Sequence, residues 1–369
     1  MDSPCTQRHL RAKLEASTIP TDEGEPMNKI TRIGIDLAKH IFYLHGVDAS
    51  GKTVLRKKLV RKDVLPFFAQ LPACQVSMEA CSGSHYWGRE LQRLGHTVLL
   101  ISPKFVVPYR KNQKNDYNDA EAICEAASRD HMRFVALKSE EQQALLMIHR
   151  MREQYVAERT SKVNQIRGHL NEFGVVVPIT LSKLLAALPD ILESNYVPST
   201  VKINLRHLLD SIHFTNAQID LLEQQLKEFA KNNEDVKRLM TIKGVGIISA
   251  TAIVSTVGDA KLFSSSRQFA AWVGLVPKQF SSGGKIKLGG ITKSGDQYLR
   301  KLFIQGARAV LFKCSQQEDL RSQWINRLRH RKPDNVVATA LAAKIARTVW
   351  AVLVRGENYQ EYTCMAAAA

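Results

Sequence analysis

Between Ile30 and Lys138, short apolar runs alternate with amphipathic stretches, and this alternation restricts the possible folds more than any other feature of the sequence. Short runs rich in β-branched and aromatic residues predict strands, whereas longer stretches with one apolar side predict helices. Strands are expected at 33–35, 41–44, 54–60, 75–79 and 97–101, and helices at 64–70, 84–94 and 120–128. Strands followed by alternating helices and strands predict one mixed α/β sheet with helices on its faces.

Four acidic residues stand at the ends of these predicted elements. Asp36 follows an apolar run, and Glu79 ends a predicted strand. Asp116 and Asp119 lie three positions apart at the start of a predicted helix, so both can project from one face. The predicted order β-β-β-α-β-α-β-α is that of a ribonuclease-H-like mixed sheet.

These four carboxylates predict a metal site. A buried carboxylate costs several kcal/mol unless a cation balances its charge. Four of them suit a pair of Mg²⁺ ions about 4 Å apart, with Mn²⁺ as an alternative, and such a pair acts on phosphodiesters. For each acid alone a structural role is the alternative: Asp116 and Asp119 suit a helix N-cap, and Asp36 suits a strand-end turn. Their joint order and placement favour the metal site.

The positive charge of the chain is concentrated towards its C-terminal end. Residues 236–355 contain 21 lysines and arginines and 5 acidic residues, so they account for +16 of the net charge of +17. A basic region joined to a nearly neutral one predicts that one part binds nucleic-acid phosphates. Surface lysines that only increase solubility are the alternative, which a one-sided excess of this size disfavours.

The middle of the chain is predicted to be helical. Helices are expected from Glu140 to Glu172 and from Leu205 to Ala230, interrupted by the proline-containing stretch Val175–Ser199. Apolar residues recur every seven positions in the second helix at Leu205, Ile212, Ile219 and Leu226. Thr215 interrupts the companion heptad position. This pattern predicts an antiparallel helical hairpin or a coiled-coil partner surface, and a single amphipathic helix packed on its own domain is the alternative.

A Gly/Ser-rich insertion between helices is expected from Phe269 to Gly290, in a region that is otherwise mostly helical. Ser281 and Ser282 stand directly before two glycines, which allow the backbone to approach a phosphate. The lysines around them are Lys278, Lys285, Lys287 and Lys293. A serine hydroxyl becomes a nucleophile only with help from a base or metal. A solvated Ser/Gly turn is the alternative.

Two further features of the basic region predict phosphate contacts. Lys243, Gly244 and Gly246 belong to a segment similar to a helix-hairpin-helix turn, in which backbone N–H groups meet a phosphate at a helix start. An ordinary tight connection between helices is the alternative. Basic side chains on predicted helices and the turn that follows complete the expected contacts, and they include Arg300, Arg327, Arg329 and Arg331. A solvated face is the alternative for this run, which the basic surroundings disfavour.

Composition also bears on location. Six cysteines without a CxxC pair indicate neither a zinc site nor a disulfide framework, and they fit a reducing cytoplasm. No run of about 18 apolar residues is present, so no membrane association is expected. Residues 1–28 are expected to be a disordered polar extension, with Met27 as an alternative start, and residues 356–369 a tail.

The motifs above occur together in one known family. In the first half they are Gly34-Ile35-Asp36-Leu37-Ala38-Lys39, Met78-Glu79-Ala80-Cys81 and Lys114-Asn115-Asp116-Tyr117-Asn118-Asp119-Ala120. In the second half they lie at 241–246, 271–277 and 281–300. Over about Lys29 to Arg355 the chain resembles the DEDD transposases of bacterial insertion sequences, the family numbered one hundred and ten, and within it the eleven-eleven-like subgroup.

The resemblance implies a RuvC-like metal-binding domain at 29–138, a helical, coiled-coil oligomerisation region at 139–235 and a transposase domain with a catalytic serine at 236–355. In this family the serine attacks DNA and forms a covalent phosphoserine link. The metal site of one subunit and the serine of another form a composite site, so a dimer or tetramer is expected. A structured bridge RNA pairs with donor and target double-stranded DNA. Ser282 matches the family's serine-glycine step and is preferred to Ser281.

The expected function is therefore that of a site-specific DNA recombinase that moves its own element. A RuvC-like Holliday-junction resolvase, which would use metal-activated water and form no covalent intermediate, is the alternative that the C-terminal motifs disfavour. A sugar-kinase-like or actin-like ATPase would need a second duplicated domain with its own phosphate loop. A catalytically inactive nucleic-acid-binding protein would not need all four carboxylates.

Overall fold

The computed structural model describes residues 29–111, 115–314 and 319–360. Within them the chain divides into two units, the first ending at Leu137 and the second beginning at Lys138. The expectations for residues 1–28, for Lys114 and for the end of the chain after residue 360 lie outside the described residues.

The described part of the first unit contains six strands and four α-helices. The strands are β1 (Arg32–Leu37), β2 (Ile41–Val47), β3 (Thr53–Val60), β4 (Gln75–Glu79), β5 (Thr97–Ile101) and β6 (Phe134–Val135). The helices are α1 (Val64–Ala69), α2 (Ser84–Arg93), α3 (Pro103–Val106) and α4 (Asp116–Ala127). The predicted mixed sheet is confirmed. Sequence reasoning missed α3 and β6, which are four and two residues long and too short for a periodic signal.

The strands form a single sheet in the order β3-β2-β1-β4-β5-β6. β2 pairs antiparallel with both β1 and β3, and β6 pairs antiparallel with β5. β4 lies parallel to both β1 and β5. Parallel neighbours end at the same edge of a sheet. Asp36, near the end of β1, and Glu79, at the end of β4, therefore approach the same edge, an arrangement consistent with a ribonuclease-H-like domain.

The two faces of β1 have different roles. Ile33 and Ile35 are 0% and 1% exposed and belong to the apolar core of this unit. Gly34 faces the opposite side, where a Cβ atom would lie only 2.3 Å from the carbonyl oxygen of Ala120 in α4. Because glycine alone permits this approach, Gly34 sets the distance between β1 and α4 and so places Asp36 near the start of that helix.

The described part of the second unit contains nine α-helices and one β-hairpin. The first three helices are α5 (Glu140–Asn171), α6 (Leu181–Glu193) and α7 (Ser199–Asn232). The others are α8 (Glu234–Met240), α9 (Ile247–Val257), α10 (Ser266–Val273), α11 (Gln297–Lys313), α12 (Leu320–Arg329) and α13 (Asp334–Arg355). The hairpin consists of β7 (Pro277–Ser282) and β8 (Lys285–Ile291). The expected helical C-terminal region is confirmed.

The long helices α5 and α7 pack against each other in opposite directions. Arg152 of α5 pairs with Glu223 of α7 at 2.6 Å, whereas Lys162, further along α5, donates to Thr215, earlier in α7, at 3.1 Å. All four heptad residues of α7 are buried inside this chain, and Thr215 is also buried. The heptad pattern is therefore satisfied by packing within one chain.

Two segments between the predicted helices contain regular structure that the sequence did not reveal. The stretch Val175–Ser199 contains α6, whose Leu184 and Leu188 are fully buried, and Pro189 lies inside that helix. Three prolines in the stretch concealed this apolar periodicity.

The Gly/Ser-rich insertion expected at 269–290 is likewise a regular structure. Its first residues complete α10, in which Phe269 is fully buried, and the rest forms the β7–β8 hairpin. The alternation of lysine and apolar residues from Lys285 to Leu288 was the available strand signal, and the high glycine and serine content concealed it.

Helix α13 is the core helix of the second unit. By length and hydropathy it is the one helix in the described ranges that could span a membrane. Its Val337, Leu341, Ile345 and Val349 are 0–3% exposed and lie in the unit's main apolar cluster. Packing against the other helices of this unit thus accounts for its apolar character.

Candidate metal centre and serine hairpin

Three carboxylates of the first unit converge at the end of β1. Asp36 is the next-to-last residue of that strand, and Asp116 and Asp119 lie in the first turn of α4. One side-chain oxygen from each of the three lies within 4.8 Å of the other two. Oxygen atoms at this spacing can all contact one divalent cation, whose ligands lie at about 2.0–2.6 Å.

A different residue caps α4. Asn115 is the N-cap, and its side-chain oxygen accepts a hydrogen bond from the backbone N–H of Tyr117 at 3.0 Å. The alternative reading of Asp116 and Asp119 as N-caps is therefore wrong. Both carboxylates occupy the first turn, where the positive end of the helix dipole stabilises negative charge.

Glu79 lies beside this group but is held by an arginine. Arg110 places Nη2 at 2.8 Å from Oε1 of Glu79 and Nε at 3.1 Å from Oδ1 of Asp119. The side chains of Glu79 and Asp119 are 14% and 13% exposed, so this pairing is shielded from water on the carboxylate side. Sequence reasoning missed Arg110, because a lone arginine in a connecting segment carries no spacing signal.

The close carboxylates repel one another. Burial and the charges of Asp119, Asp116 and Glu79 raise the pKa of Asp36 from 3.8 to about 6, and the Arg110 guanidinium acts in the opposite direction. Oxygen-only ligands with excess negative charge are what divalent Mg²⁺ and Mn²⁺ bind. The donor set therefore fits a divalent metal.

Tyr43 is a neighbour of the cluster that the sequence did not identify. It pairs directly with Asp36 across β1 and β2, and its phenol hydrogen-bonds to Asp116. Burial and this carboxylate raise the pKa of Tyr43, as expected for a phenol that donates to an anion. Its ring packs edge-on against Tyr117 with 4.7 Å between ring centroids. The cross-strand register was the missing information.

The second candidate region is the β7–β8 hairpin. Gly283 and Gly284 form its two-residue turn with φ of 53° and 75°. A two-residue hairpin turn of type I′, whose twist matches that of the flanking strands, requires a positive φ at both central residues. Glycine adopts such a φ at little energetic cost. Ser282 is paired with Lys285 at the ends of the strands that this turn joins.

The two serines lie on opposite faces of the hairpin. Directly paired residues share a face, so Ser282 shares one with Lys285, whereas Ser281 shares the other with its partner Ile286. Gln279 donates a hydrogen bond to Oγ of Ser281 at 2.8 Å, which is consistent with this assignment. One face thus presents Ser282 with basic neighbours, and the other presents Ser281 with apolar ones.

The Ser282 face carries most of the predicted lysines. Phe280 pairs with Lys287, and the ring of Phe280 and Cβ of Lys278 both lie near Gly289 on this side. Phe280 is 62% exposed, and all the lysines of the hairpin are exposed. We call this surface, with Lys278, Phe280, Ser282, Lys285 and Lys287, the serine face. Lys293 lies outside the hairpin and is exposed, with an unusual positive φ of 56°.

The other residues predicted to contact DNA differ in whether their side chains already have partners within the protein. Arg300 donates from Nη1 to the carbonyl oxygens of Val273 and Ser294 at 3.1 and 3.2 Å, so it fastens the two ends of the hairpin segment. Arg329 forms a two-point ion pair with Asp334 at 2.9 and 3.1 Å.

Arg327 and Arg331 are exposed near the end of α12. Gly244 and Gly246 lie in the turn between α8 and α9, where Gly246 is the N-cap of α9. Gly244 has φ of 92° and packs closely against Gly306 of α11, since a Cβ on Gly306 would lie 1.9 Å from the Gly244 oxygen. Nζ of Lys243 lies 4.0 Å from a carboxylate oxygen of Asp319.

Comparison with known proteins identifies related sequences along most of the chain. Residues 236–323 match the "Transposase IS116/IS110/IS902 family", and residues 33–175 match the IS110-type DEDD "Transposase" family. A "Probable family 20 transposase" of Pseudomonas aeruginosa is 48% identical over 90% of this chain and 99% of its own length. The "Transposase for insertion sequence element IS1328" of Yersinia enterocolitica is 43% identical over 91% and 100%. The "Transposase for insertion sequence element IS1111A" of Coxiella burnetii is 40% identical over 90% and 92%.

Proposed function

The chain belongs to the IS110-type DEDD transposases of bacterial insertion sequences, and we propose that it cuts and rejoins DNA through a covalent serine ester. The observation that carries this proposal is the presence in one chain of a carboxylate cluster and of an exposed serine on a lysine-bearing hairpin face. The cluster suits phosphate chemistry with metals, and the hairpin offers an accessible hydroxyl.

Asp36, Glu79, Asp116 and Asp119 would hold the metal, as two Mg²⁺ ions, with Mn²⁺ as a substitute. When bound, such ions stabilise charge that develops on the phosphate and on the departing oxygen. Asp36, Asp116 and Asp119 are already within reach of one ion, whereas Glu79 lies beside them on β4. Tyr43 orients Asp116 through their hydrogen bond.

Ser282 would be the nucleophile. Its Oγ attacks the scissile phosphorus and loses its proton to a base, while the bond from phosphorus to one sugar oxygen breaks and that oxygen gains a proton. The product is a phosphoserine ester, and attack by a sugar hydroxyl of another strand restores a phosphodiester and frees the serine. Ser282 is favoured over Ser281 because it shares the serine face with lysines, which attract the phosphate.

DNA binding would use the serine face, Lys293, the turn of Lys243, Gly244 and Gly246, and the exposed Arg327 and Arg331. We assign Arg300 and Arg329 a weaker share, because their guanidinium groups already have partners within the protein. Contacts to phosphates place the protein on the duplex but do not read its sequence.

We propose three working regions: 29–138 for metal binding, 139–235 for oligomerisation and 236–355 for strand attack. The metal site of one subunit would act with Ser282 of another, in a dimer or tetramer. A mixture of Asp36→Asn and Ser282→Ala subunits tests this, since mixed oligomers would contain one composite site with both halves intact. Restored cleavage supports the composite site. If mixed oligomers form but do not cleave DNA, each active site lies within a single chain.

Target choice would come from a structured guide RNA that pairs with donor and target DNA. The protein would act in the bacterial cytoplasm, at the nucleoid. Sequencing of RNA that co-purifies with the protein tests the guide, and enrichment of RNA from the element's flank is the expected result. Absence of any enriched flank RNA would remove this part of the proposal.

The resolvase alternative is not favoured. It accounts for the carboxylates but gives no role to the hairpin serine or to the C-terminal region that matches transposases. The full-length protein with DNA of its element's ends and flank RNA separates the two functions, because cleaved DNA should remain covalently attached to Ser282 of a transposase and to no residue of a resolvase. The same reaction tests the metal site, which both functions need. We expect strand cleavage that requires Mg²⁺, is lost in Asp116→Asn and is retained in the surface control Asp48→Asn. Cleavage that persists in Asp116→Asn would contradict the metal-site assignment.

A further inference from the structure

We propose that Arg110 is an internal counter-ion of the carboxylate cluster. Its guanidinium holds Glu79 and Asp119 until a divalent cation displaces the guanidinium. The inference rests on the proposed metal site and deepens it. It assigns Arg110 a positioning role: the arginine keeps the cluster assembled without metal and makes the binding of metal at Glu79 dependent on its own departure.

The contacts of Arg110 support this role directly. One guanidinium spans two acids from different elements, Glu79 at the end of β4 and Asp119 in α4, at 2.8 and 3.1 Å. Without this cation Glu79 and Asp119 would lose their ion-pair partner beside the clustered carboxylates of Asp36 and Asp116. Arg110 is thus placed where it neutralises part of the excess charge.

A metal and this guanidinium would compete for the same atoms. An oxygen that donates its lone pair to a cation at about 2.0–2.6 Å leaves little room for a second cation on the same side. Among the described residues Arg110 forms ion pairs with Glu79 and Asp119. Asp36, Asp116 and Asp119 each offer one oxygen within 4.8 Å of the others, so a first ion can bind at these three. Binding that includes Glu79 then requires Arg110 to turn away.

The burial of the pair distinguishes it from an ordinary surface ion pair. Exposed pairs contribute little because water and salt screen them. The neighbouring pair of Lys111 and Glu121 is of this kind, with side chains 62% and 35% exposed and 2.8 Å between charged atoms. The acids paired with Arg110 are 14% and 13% exposed. Lys111 is therefore a matched control, because it is adjacent in sequence and equal in charge but pairs outside the cluster.

The test measures binding of Mn²⁺ alone to the full-length protein by titration calorimetry, with no DNA and no turnover. We expect wild type to bind one ion readily and a second only at higher Mn²⁺. Arg110→Gln should bind the second ion about tenfold more tightly, the order expected for loss of one competing charge pair near a partly buried site. Arg110→Lys, which keeps the charge but cannot span both acids, should lie between them.

Two controls separate this inference from the metal site itself. Lys111→Gln should bind Mn²⁺ as wild type does, which excludes a general effect of lost positive charge. If Asp36→Asn leaves Mn²⁺ binding unchanged, the metal site is wrong and the proposed function fails. If Asp36→Asn weakens binding but Arg110→Gln and Arg110→Lys both bind like wild type, the metal site stands and the counter-ion role of Arg110 is refuted. Thermal unfolding in EDTA gives an independent reading, since Arg110→Gln should be less stable than wild type and Lys111→Gln should not.

Discussion

Replacing Asp36 by asparagine should stabilise the metal-free protein while it abolishes cleavage. Asp36 is held next to two other carboxylates at a partly buried site, and a side chain of nearly the same shape without charge would relieve their repulsion. Residues that are arranged to bind a ligand often destabilise the protein when the ligand is absent, so their replacement raises stability and removes function. A residue with a purely structural role would give the opposite result, because its removal costs stability.

The magnitude follows from the pKa. A rise from 3.8 to about 6 corresponds to about 3 kcal/mol of unfavourable ionisation in the folded state. The exposed Asp116 opens the cluster to solvent, so screening reduces the expected gain to about 1–2 kcal/mol. The gain should be largest above pH 6 and should disappear as the pH falls towards 3.8, because the folded protein then takes up a proton on Asp36 itself.

Hydrogen exchange of the amides in β1 and β4 measures this gain within the first unit, in EDTA at neutral pH. The control is Asp48→Asn, since Asp48 accepts hydrogen bonds from Ser50 and Lys52 that hold its pKa below the ordinary value. Asp48→Asn should therefore not stabilise the protein. If Asp36→Asn slows exchange no more than Asp48→Asn does, burial and repulsion do not destabilise the ionised Asp36 as predicted.

Three other predictions test the surroundings of the two candidate sites. Gly34→Ala should destabilise the first unit by about 3 kcal/mol or more and abolish Mn²⁺ binding in calorimetry, because the added Cβ would lie 2.3 Å from a backbone oxygen of α4. The control Gly168→Ala, in open space on α5, should be neutral or stabilising. His149 is buried, and burial lowers its pKa from 6.5 to about 4. Between pH 6.5 and 4 only the unfolded chain gains the proton, so the free energy of unfolding measured in urea should fall by up to about 3 kcal/mol over that range. A free energy that is unchanged over that range in wild type relative to His149→Gln would contradict this prediction. Tyr43→Phe removes the hydrogen bond that orients Asp116, so it should slow cleavage by about tenfold at limiting Mg²⁺ and change it little at saturating Mg²⁺. Equal slowing at both Mg²⁺ concentrations would indicate a different role for Tyr43.

The parts of the fold that the sequence predicts are those set by local periodicity. The strands around Ile33 and Met78 were identifiable because buried apolar runs end in a carboxylate, and the start of α4 was identifiable from Asp116 and Asp119. Helix α6 was missed because its prolines outweighed its apolar spacing, and the β7–β8 hairpin was missed because glycines and serines resemble a loop.

The parts of the site that the sequence does not predict depend on pairing between distant segments. Tyr43 faces Asp36 because of antiparallel register, and Arg110 reaches Glu79 across 31 positions of chain. The choice between Ser281 and Ser282 also depends on register, which assigns them to different faces of one hairpin. None of these three relations leaves a motif in the linear sequence.

The covalent link to DNA is the most direct test of the serine mechanism. Full-length protein, flank RNA, Mg²⁺ and labelled element-end DNA would be mixed, denatured and digested with trypsin, which releases both serines in the peptide Gln279–Lys285. We expect wild type and Ser281→Ala to carry a nucleotide on Ser282, located by fragmentation, and Ser282→Ala to carry none. An adduct on another residue in wild type, or cleavage without any adduct, would contradict the account.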